Sequence, residues 1–502
     1  MGKDLYVGVD MGTTVVKAGL FDAQGRQLAL ATREFHLETP AAGFAEFDAD
    51  SYIECAFDAV REVIASPDAD AHAVRAIGLS SQAQTFVLLG RDDRPLRPAV
   101  SWLDVRAEAE AKELSRISLR AGGEAVNAID SGPKILWLLR HEPAAVKQAR
   151  RMFVIPDYFI FKLTGRAVTD PATAFSTAFY DWRRGRRLEA IISACALRLD
   201  ALPEVLLPGE AAGKLSARAS RRLGLARDVV VAVGTNDQYA GALGAGNVIP
   251  GCASLTLGTA LAIVITSEHA GRLPRGVEVS PHPARGLFAV LAYAKTAGIV
   301  VRWFRDNFAP SLSYDGLFRE AAGVPIGADG LCCIPHFSGM ASPTFDPSAR
   351  GAFAGLTLAH GRAHVARAII ESLSFCVREN LDLLRPAVGG VKELRAIGGG
   401  AKSDFWLQMV ADVAGVTVER PVTREAACLG AAELAMTATG RFNSVAEAAR
   451  SLYRAERRFE PDVSVKSAYD STFERYRKLC AALCGGRGKV RRQSKAPSSR
   501  RR

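Results

Sequence analysis

From its first residues the chain alternates short apolar runs with tight polar breaks. Leu5-Tyr6-Val7-Gly8-Val9 predicts a buried strand, and Asp10-Met11-Gly12-Thr13-Thr14 breaks it as a turn. A β-branched, apolar run over residues 15–21 predicts a second strand, and Asp22-Ala23-Gln24-Gly25 a second turn. Residues 26–32 supply a third strand. Ile53, Phe57, Val60 and Ile64 then recur at helical spacing before a strand over residues 74–79. The order is β-β-β-α-β, which is neither a sandwich nor a simple α/β alternation.

A similar start recurs near the middle. Residues 254–259 predict a strand ending in Gly258-Thr259, followed by an apolar strand over residues 260–265. Further on, Val365, Ile369, Leu373, Val377 and Leu381 form a helical stripe. A strand over residues 394–397 then feeds Gly398-Gly399-Gly400-Ala401 and another helix. This is a weak internal duplication. It predicts two related α/β halves, residues 1–247 and 248–486, with the junction at 247–251 where Pro250-Gly251 lies.

A length of 502 residues excludes one small module, and 48% hydrophobic with 23% charged residues excludes disorder for most of the chain. The net charge of +11 points toward anionic partners until it is located. Eight of those charges fall in residues 487–502, which hold no acidic residue and predict a disordered tail, leaving +3 for the rest. A nucleic-acid partner is therefore not expected. No apolar run reaches the roughly 18 residues of a membrane helix, so a cytoplasmic protein is the expectation. Nine scattered cysteines fit reduced thiols. Cys480 and Cys484 lie one helical turn apart, but without a second pair or a His cluster they read as plain thiols.

Asp10-Met11-Gly12-Thr13-Thr14 has the parts of a phosphate site: a glycine for close backbone approach, two hydroxyls, and a carboxylate suited to hydrated Mg²⁺. Lys17 adds a positive charge. The same turn could equally be a plain hairpin. A strand over residues 229–233 places Asp237 and Gln238 at its C-terminal end, where α/β proteins place functional groups. Asp237 is the candidate base, with an N-cap as its alternative role. Ser80-Ser81-Gln82-Ala83-Gln84 offers amides and hydroxyls for a polyol. Trp102, Asp104 and Arg106 have sugar-site chemistry, or equally form a salt bridge beside a core tryptophan. His360 and His364 share a helix face and, lacking a third ligand, read as solvated.

Taken in order, these segments resemble the FGGY carbohydrate kinases, which include xylulokinase, gluconokinase and glycerol kinase within the hexokinase, actin and Hsp70-type ATPase fold. The resemblance runs from about Leu5 to Leu483. It rests on Asp10-x-Gly12-Thr13-Thr14, Ser81-Gln82 leading into Leu96-Arg97-Pro98-Ala99 and Trp102-x-Asp104-x-Arg106, and Ser131-Gly132-Pro133-Lys134-x-x-Trp137. Gly234-x-x-Asp237-Gln238, Leu257-Gly258-Thr259, Gly351-Ala352-Phe353-x-Gly355-Leu356 and Gly398-Gly399-Gly400-Ala401 complete it. It implies two actin-like, ribonuclease H-like domains with an active-site cleft between them, and Mg²⁺- and ATP-dependent phosphorylation of a sugar or polyol hydroxyl.

By matching position, Asp237 is the implied catalytic base, and Asp10 with Asp237 the acidic residues near Mg²⁺. Gly12, Thr13, Thr14 and Lys17 fall on the first phosphate loop, Gly258 and Thr259 on the second, Gly298 near the phosphates, and Gly399, Gly400 and Ser403 on the adenosine side. Gln82, Gln84, Trp102, Asp104, Arg106, Asp237 and Gln238 are the implied acceptor contacts. Xylulokinases usually place Met-His after the matching glutamine and glycerol kinases Arg-Glu, whereas Ala83-Gln84 stands here. The order of expectation is a ketose such as xylulose, then another sugar, a sugar acid or a polyol of the gluconate, erythritol or glycerol type. A non-catalytic sugar sensor is the alternative from another class, and the oligomeric state, a homodimer included, stays open.

Overall fold

The computed structural model describes residues 4–269, 273, 277–342, 346 and 348–484. The basic tail expected at 487–502 lies outside the described residues. The chain divides into two compact units. It leaves the first at Ile249, beside the sequence-expected junction, but Ser280–Ala289 and Thr423–Arg454 return to that first unit.

The first unit is built on strands β1 (Leu5–Met11), β2 (Val15–Asp22), β3 (Gln27–Glu34), β4 (Val74–Ser81), β5 (Ala211–Lys214), β6 (Val230–Ala232) and β7 (Thr235–Asn236). Their order is β5-β6-β4-β1-β2-β3, with β7 continuing alongside β4. β1 pairs antiparallel with β2 and parallel with β4. Burial on both faces explains why β1 reads as an almost unbroken apolar run. That strand continues two residues past the expected end at Val9, because Asp10 pairs in register with Lys17 on one side and Ser80 on the other. The turn is thereby confined to Gly12-Thr13-Thr14, with the Gly12 amide donating to the Val15 carbonyl at 3.0 Å.

The expected helix is Ala49–Ile64, capped by the Asp48 carboxylate on the Ser51 amide. Its stripe of Ile53, Phe57, Val60 and Ile64 is buried in the core under β1 and β2. On the other side of the sheet the helix Ala426–Ala438 presses its backbone on the strands. A side chain at Gly8 would land on the Cys428 carbonyl, and one at Gly78 on the Ala431 carbonyl. Glycine is the residue that permits this approach. The same helix seats Asp237–Gly244 by glycine contact, Gly430 against Ala240, and so fixes the element that begins at Asp237.

The second unit repeats the plan with β8 (Cys252–Leu257), β9 (Leu261–Ser267), β12 (Glu393–Ile397), β13 (Thr417–Pro421) and β14 (Ala455–Phe459). Its sheet is extended by β10 (Glu278–Pro281) and β11 (Phe288–Ala294), strands that flank the returning segment Ser280–Ala289 and share its ends. The order is β10-β11-β9-β8-β12-β13-β14. β8 pairs antiparallel with β9 and parallel with β12, as β1 does with β2 and β4. In both sheets a second parallel strand and then an antiparallel strand follow on that side. The apolar stripe through Val365 and Ile369 lies on the helix Arg362–Val388. No helix among the described residues is long and apolar enough to cross a membrane.

Candidate active site

Three parallel strands of the first unit end side by side. Asp10 on β1 pairs with Ser80 on β4, and Ser80 pairs with Thr235 on β7, so the three residues stand in register at the carboxyl edge of the sheet, where α/β folds hold ligands. The Ser80 hydroxyl donates to Asp10 Oδ1 at 2.7 Å. Asp237 follows β7 directly as the first residue of its helix. The cap of that helix is Asn236, whose side chain accepts the Gln238 amide at 2.9 Å. The N-cap alternative for Asp237 is thus taken by its neighbour, and the Asp237 carboxylate takes a long 3.4 Å contact from the Gln238 side-chain amide.

Burial, then the nearby Asp10 charge, pushes the Asp237 pKa up to about 7 against the opposing pull of Gln238. Burial also raises Asp10, to about 6, with the Ser80 hydroxyl and Lys17 opposing and Glu425 adding to the rise. Two half-buried carboxylates therefore share one region, and each proton lost by one hinders loss by the other. Lys17 Nζ pairs with Glu425 at 2.7 Å. Burial works against the Lys17 charge, but Glu425 and Asp10 outweigh it and hold its pKa above the ordinary value.

The Gly12-Thr13-Thr14 turn is held by a closed hydrogen-bond circuit. The buried Tyr52 hydroxyl donates to the Gly12 carbonyl at 2.6 Å, and Gln82 Nε2 donates to Tyr52 at 3.3 Å. Thr85 donates to Gln82 Oε1 at 2.9 Å and accepts the Trp102 amide at 3.0 Å. Trp102 Nε1 returns to the Thr13 hydroxyl at 2.8 Å. Gln82, expected on the acceptor, is buried with both ends of its amide engaged, so it sets the turn rather than reaching out. Thr14 is the exposed hydroxyl of the loop.

Asp104 and Arg106 follow the salt-bridge reading. Asp104 is 0% exposed, accepts the Ala45 amide at 2.7 Å and binds Arg106 through both oxygens at 2.6–3.0 Å. Arg106 also pairs with Glu46 and stacks 3.6 Å above Phe44. These bonds suit the pair to positioning, although Arg106 Nη1 is buried without a hydrogen-bond partner. Gln84 is half-buried at a positive φ of 60°, and its carbonyl accepts the Ser131 hydroxyl at 2.9 Å. A non-glycine residue held there is strained by about 1 kcal/mol, and such strain concentrates at ligand sites.

In the second unit the hairpin turn Gly258-Thr259 meets the start of the helix Gly298–Phe308. The Gly298 amide donates to the Gly258 carbonyl and the Ala297 amide to the Thr259 carbonyl, both at 2.9 Å. A methyl at Gly298 would stand 2.7 Å from the Gly258 oxygen. Gly398, at φ 87°, lies close against the end of β8: a Cβ placed there would stand 3.0 Å from the Leu257 carbonyl oxygen and 3.4 Å from the Gly258 amide nitrogen. Gly399 faces open space: a side chain placed there would meet nothing within 4 Å, so a ligand can approach its backbone. Two further residues expected on the adenosine side have structural partners of their own. Gly400 is packed on Leu257 and Trp406, and the Ser403 hydroxyl caps the helix Asp404–Ala414 by accepting the Trp406 amide at 3.2 Å.

Tyr52 and Glu425 were not singled out by the sequence; Ser80 stood there only within a hydroxyl- and amide-bearing segment, and Lys134 only within a motif, neither with a role of its own. Lys134 is fully buried, donates to the carbonyls of Ser101 and Ile129, and is pushed by burial down to about 7 with Asp104 and Asp130 opposing. The signal that could have found Ser80 is its place at the end of a strand adjacent to β1; Tyr52 and Glu425 carried none, being single polar residues in helical contexts. His360 and His364 are partly exposed and also locally bonded: His360 Nδ1 accepts the Thr357 amide at 2.9 Å, and His364 contacts Asp329 at 3.2 Å.

Profiles of the FGGY family of carbohydrate kinases match twice, the N-terminal domain at residues 5–244 and the C-terminal domain at residues 253–439. The chain is similar to the xylulose kinase of Bacillus subtilis strain 168, with 30% identity over 94% of this chain and 96% of the relative. It is 32% identical to the glycerol kinase of Bordetella parapertussis over 91% of this chain and 93% of that one. Among solved structures, a xyloylose kinase from Brucella ovis superposes with a TM-score of 0.86 at 29% identity, covering 95% of this chain and 99% of that one. With two matching domains, the duplicated sheet and full-length relatives, the chain belongs to the FGGY family of carbohydrate kinases, enzymes that transfer phosphate from ATP to an alcohol group.

Proposed function

We propose that this enzyme phosphorylates a ketose, xylulose first among them, with Asp237 as the general base. The observation that carries this reading is the Asp237 carboxylate, free of capping duty and poised near neutrality beside Asp10. A base works best when its pKa lies near the working pH. As the acceptor hydroxyl oxygen bonds to the γ-phosphorus, its proton passes to Asp237 and the bond to the departing ADP breaks. Gln238 and Gln84 orient the acceptor, and Trp102 orders Thr13 behind it. Gly12, Thr13 and Thr14 on the first unit, and Gly258, Thr259, Gly298 and Gly399 on the second, are assigned to the nucleotide.

Asp10 and Asp237 fit Mg²⁺, since both offer hard oxygen ligands and both are raised first by burial and then by a neighbouring carboxylate, costs of the charged form that a cation would relieve. When bound, the ion supplies charge neutralisation on the phosphates. Nine unpaired thiols support action in a reducing cytoplasm.

Full-length relatives named xylulose kinase favour the ketose, while the glycerol kinase relative at 32% identity favours a polyol. ADP release measured over xylulose, other ketoses, gluconate, erythritol and glycerol separates them. Xylulose should give the highest kcat/KM. A higher value for glycerol would move the assignment to polyols, and background ADP with intact sugar binding would support the sensor instead.

A further inference from the structure

The second unit gathers His336, Cys480 and Cys484 so that one imidazole nitrogen and two sulfurs all lie within 4.8 Å of one another. Both cysteines project from one face of the helix Lys466–Cys484, as a spacing of four requires. His336 arrives from the loop after the strand Cys332–Ile334. Sequence spacing could not reveal this group, because its third member is 144 residues from the first cysteine.

The separations suit a metal. His336 Nε2 stands 3.5 Å from Cys480 Sγ. A tetrahedral zinc, with Zn–N of about 2.0–2.1 Å and Zn–S of about 2.3 Å, separates a nitrogen from a sulfur ligand by roughly 3.5 Å. His336 and Cys480 are buried, while Cys484 is half-buried and offers a path for an ion. Among the described residues, Asp346 acts on His336 and Cys484, and Glu379 on both cysteines, with Arg477 opposing beside Glu379. A soft cation accepts thiolate and imidazole ligands together, whereas Mg²⁺ does not.

We propose that His336, Cys480 and Cys484 form a structural site for Zn²⁺, with water in the fourth position, that ties the C-terminal helix to the strand Cys332–Ile334. Binding replaces two S–H bonds by two Zn–S bonds and releases both protons to solvent. The site is separate from the kinase chemistry, which uses oxygen ligands in the first unit.

The test loads the full-length enzyme with one equivalent of ZnCl₂, dialyses it exhaustively and counts retained zinc by atomic emission. The same is done for Cys484→Ser, His336→Gln and the control Cys55→Ser, a half-exposed thiol outside the group. About one zinc per chain is expected in the parent and control, with at least tenfold less in the other two, and Co²⁺ should give thiolate charge-transfer absorption only where zinc is retained. Kinase turnover of Cys484→Ser should match the parent. If Cys484→Ser does not fold, His336→Gln decides alone. No retained zinc in the parent, equal retention in all four proteins, or a disulfide joining Cys480 to Cys484 in the parent would each overturn the proposal.

Discussion

In the first unit the hairpin β1–β2 carries Asp10 two residues before Gly12; in the second the hairpin β8–β9 carries Thr256 two residues before Gly258. The neighbouring parallel strands diverge in the same sense. β4 runs into Ser80, Ser81 and Gln82, while β12 runs into Gly398, Gly399 and Gly400. One backbone plan thus holds carboxylates and their hydrogen-bond partners in one unit, and bare backbone in the other. The first arrangement suits proton and cation chemistry. The second suits a ligand that must lie against main-chain amides.

The comparison breaks most visibly at Asp237. Asp237→Asn should lower kcat for xylulose by about 10³-fold or more, the upper range for removing a positioned base. Turnover within tenfold of the parent would take the base out of the first unit. Asp10→Asn should follow, with a loss of about 100-fold that higher Mg²⁺ does not restore. Because the Asp10 charge helps hold Asp237 up, the acidic limb of the kcat/KM profile should also move to lower pH in the residual activity of that variant. An unmoved limb would uncouple the two carboxylates.

A smaller effect concerns stability. Both carboxyls have folded pKa values raised above the unfolded value, so the folded state binds extra protons between about pH 4 and 7. Their contribution to stability is full below the unfolded value and is lost as pH rises through about 6 to 7. Replacing Asp237 by Asn removes the charge that burial disfavours. With partial exposure allowed for, this is worth about 1–2 kcal/mol, or a Tm gain of about 2–6 °C at pH 8 without ligands and almost none at pH 4. Thermal unfolding at both values checks this; a lower Tm for the variant at pH 8 would mean the carboxylate stabilises the fold.

Much of this difference was legible before any coordinates, because it is written in local patterns. The Gly-Thr turns follow apolar strands, and the helical stripe through Ile53 and Phe57 fixes which face is inward. Asp237 declares itself by standing just after a buried strand. What could not be read depends on contacts between distant segments. Nothing in the run 423–454 announces that it packs with the first unit; only the glycines at 8, 78 and 430, which let its helix reach β1, β4 and the Asp237 helix, hint at a close approach. Gln82 and Asp104 looked like ligand contacts because the same amide and carboxylate chemistry serves internal networks. The cap formed by Ser403 was likewise not legible, since a hydroxyl at a helix start serves as the ordinary cap or as a ligand contact with the same sequence signal.

The most direct measurement is a calorimetric titration of ATP into Asp237→Asn and Gly298→Ala side by side. A methyl at Gly298 must displace the Gly258 carbonyl 2.7 Å away, deforming the second hairpin without touching the first unit's carboxylates. The account predicts that Asp237→Asn binds ATP with a Kd within about twofold of the parent, and that Gly298→Ala weakens it about tenfold, close to 1.4 kcal/mol. Unchanged affinity in Gly298→Ala, or an equal loss in both variants, would contradict the division of labour between the two halves.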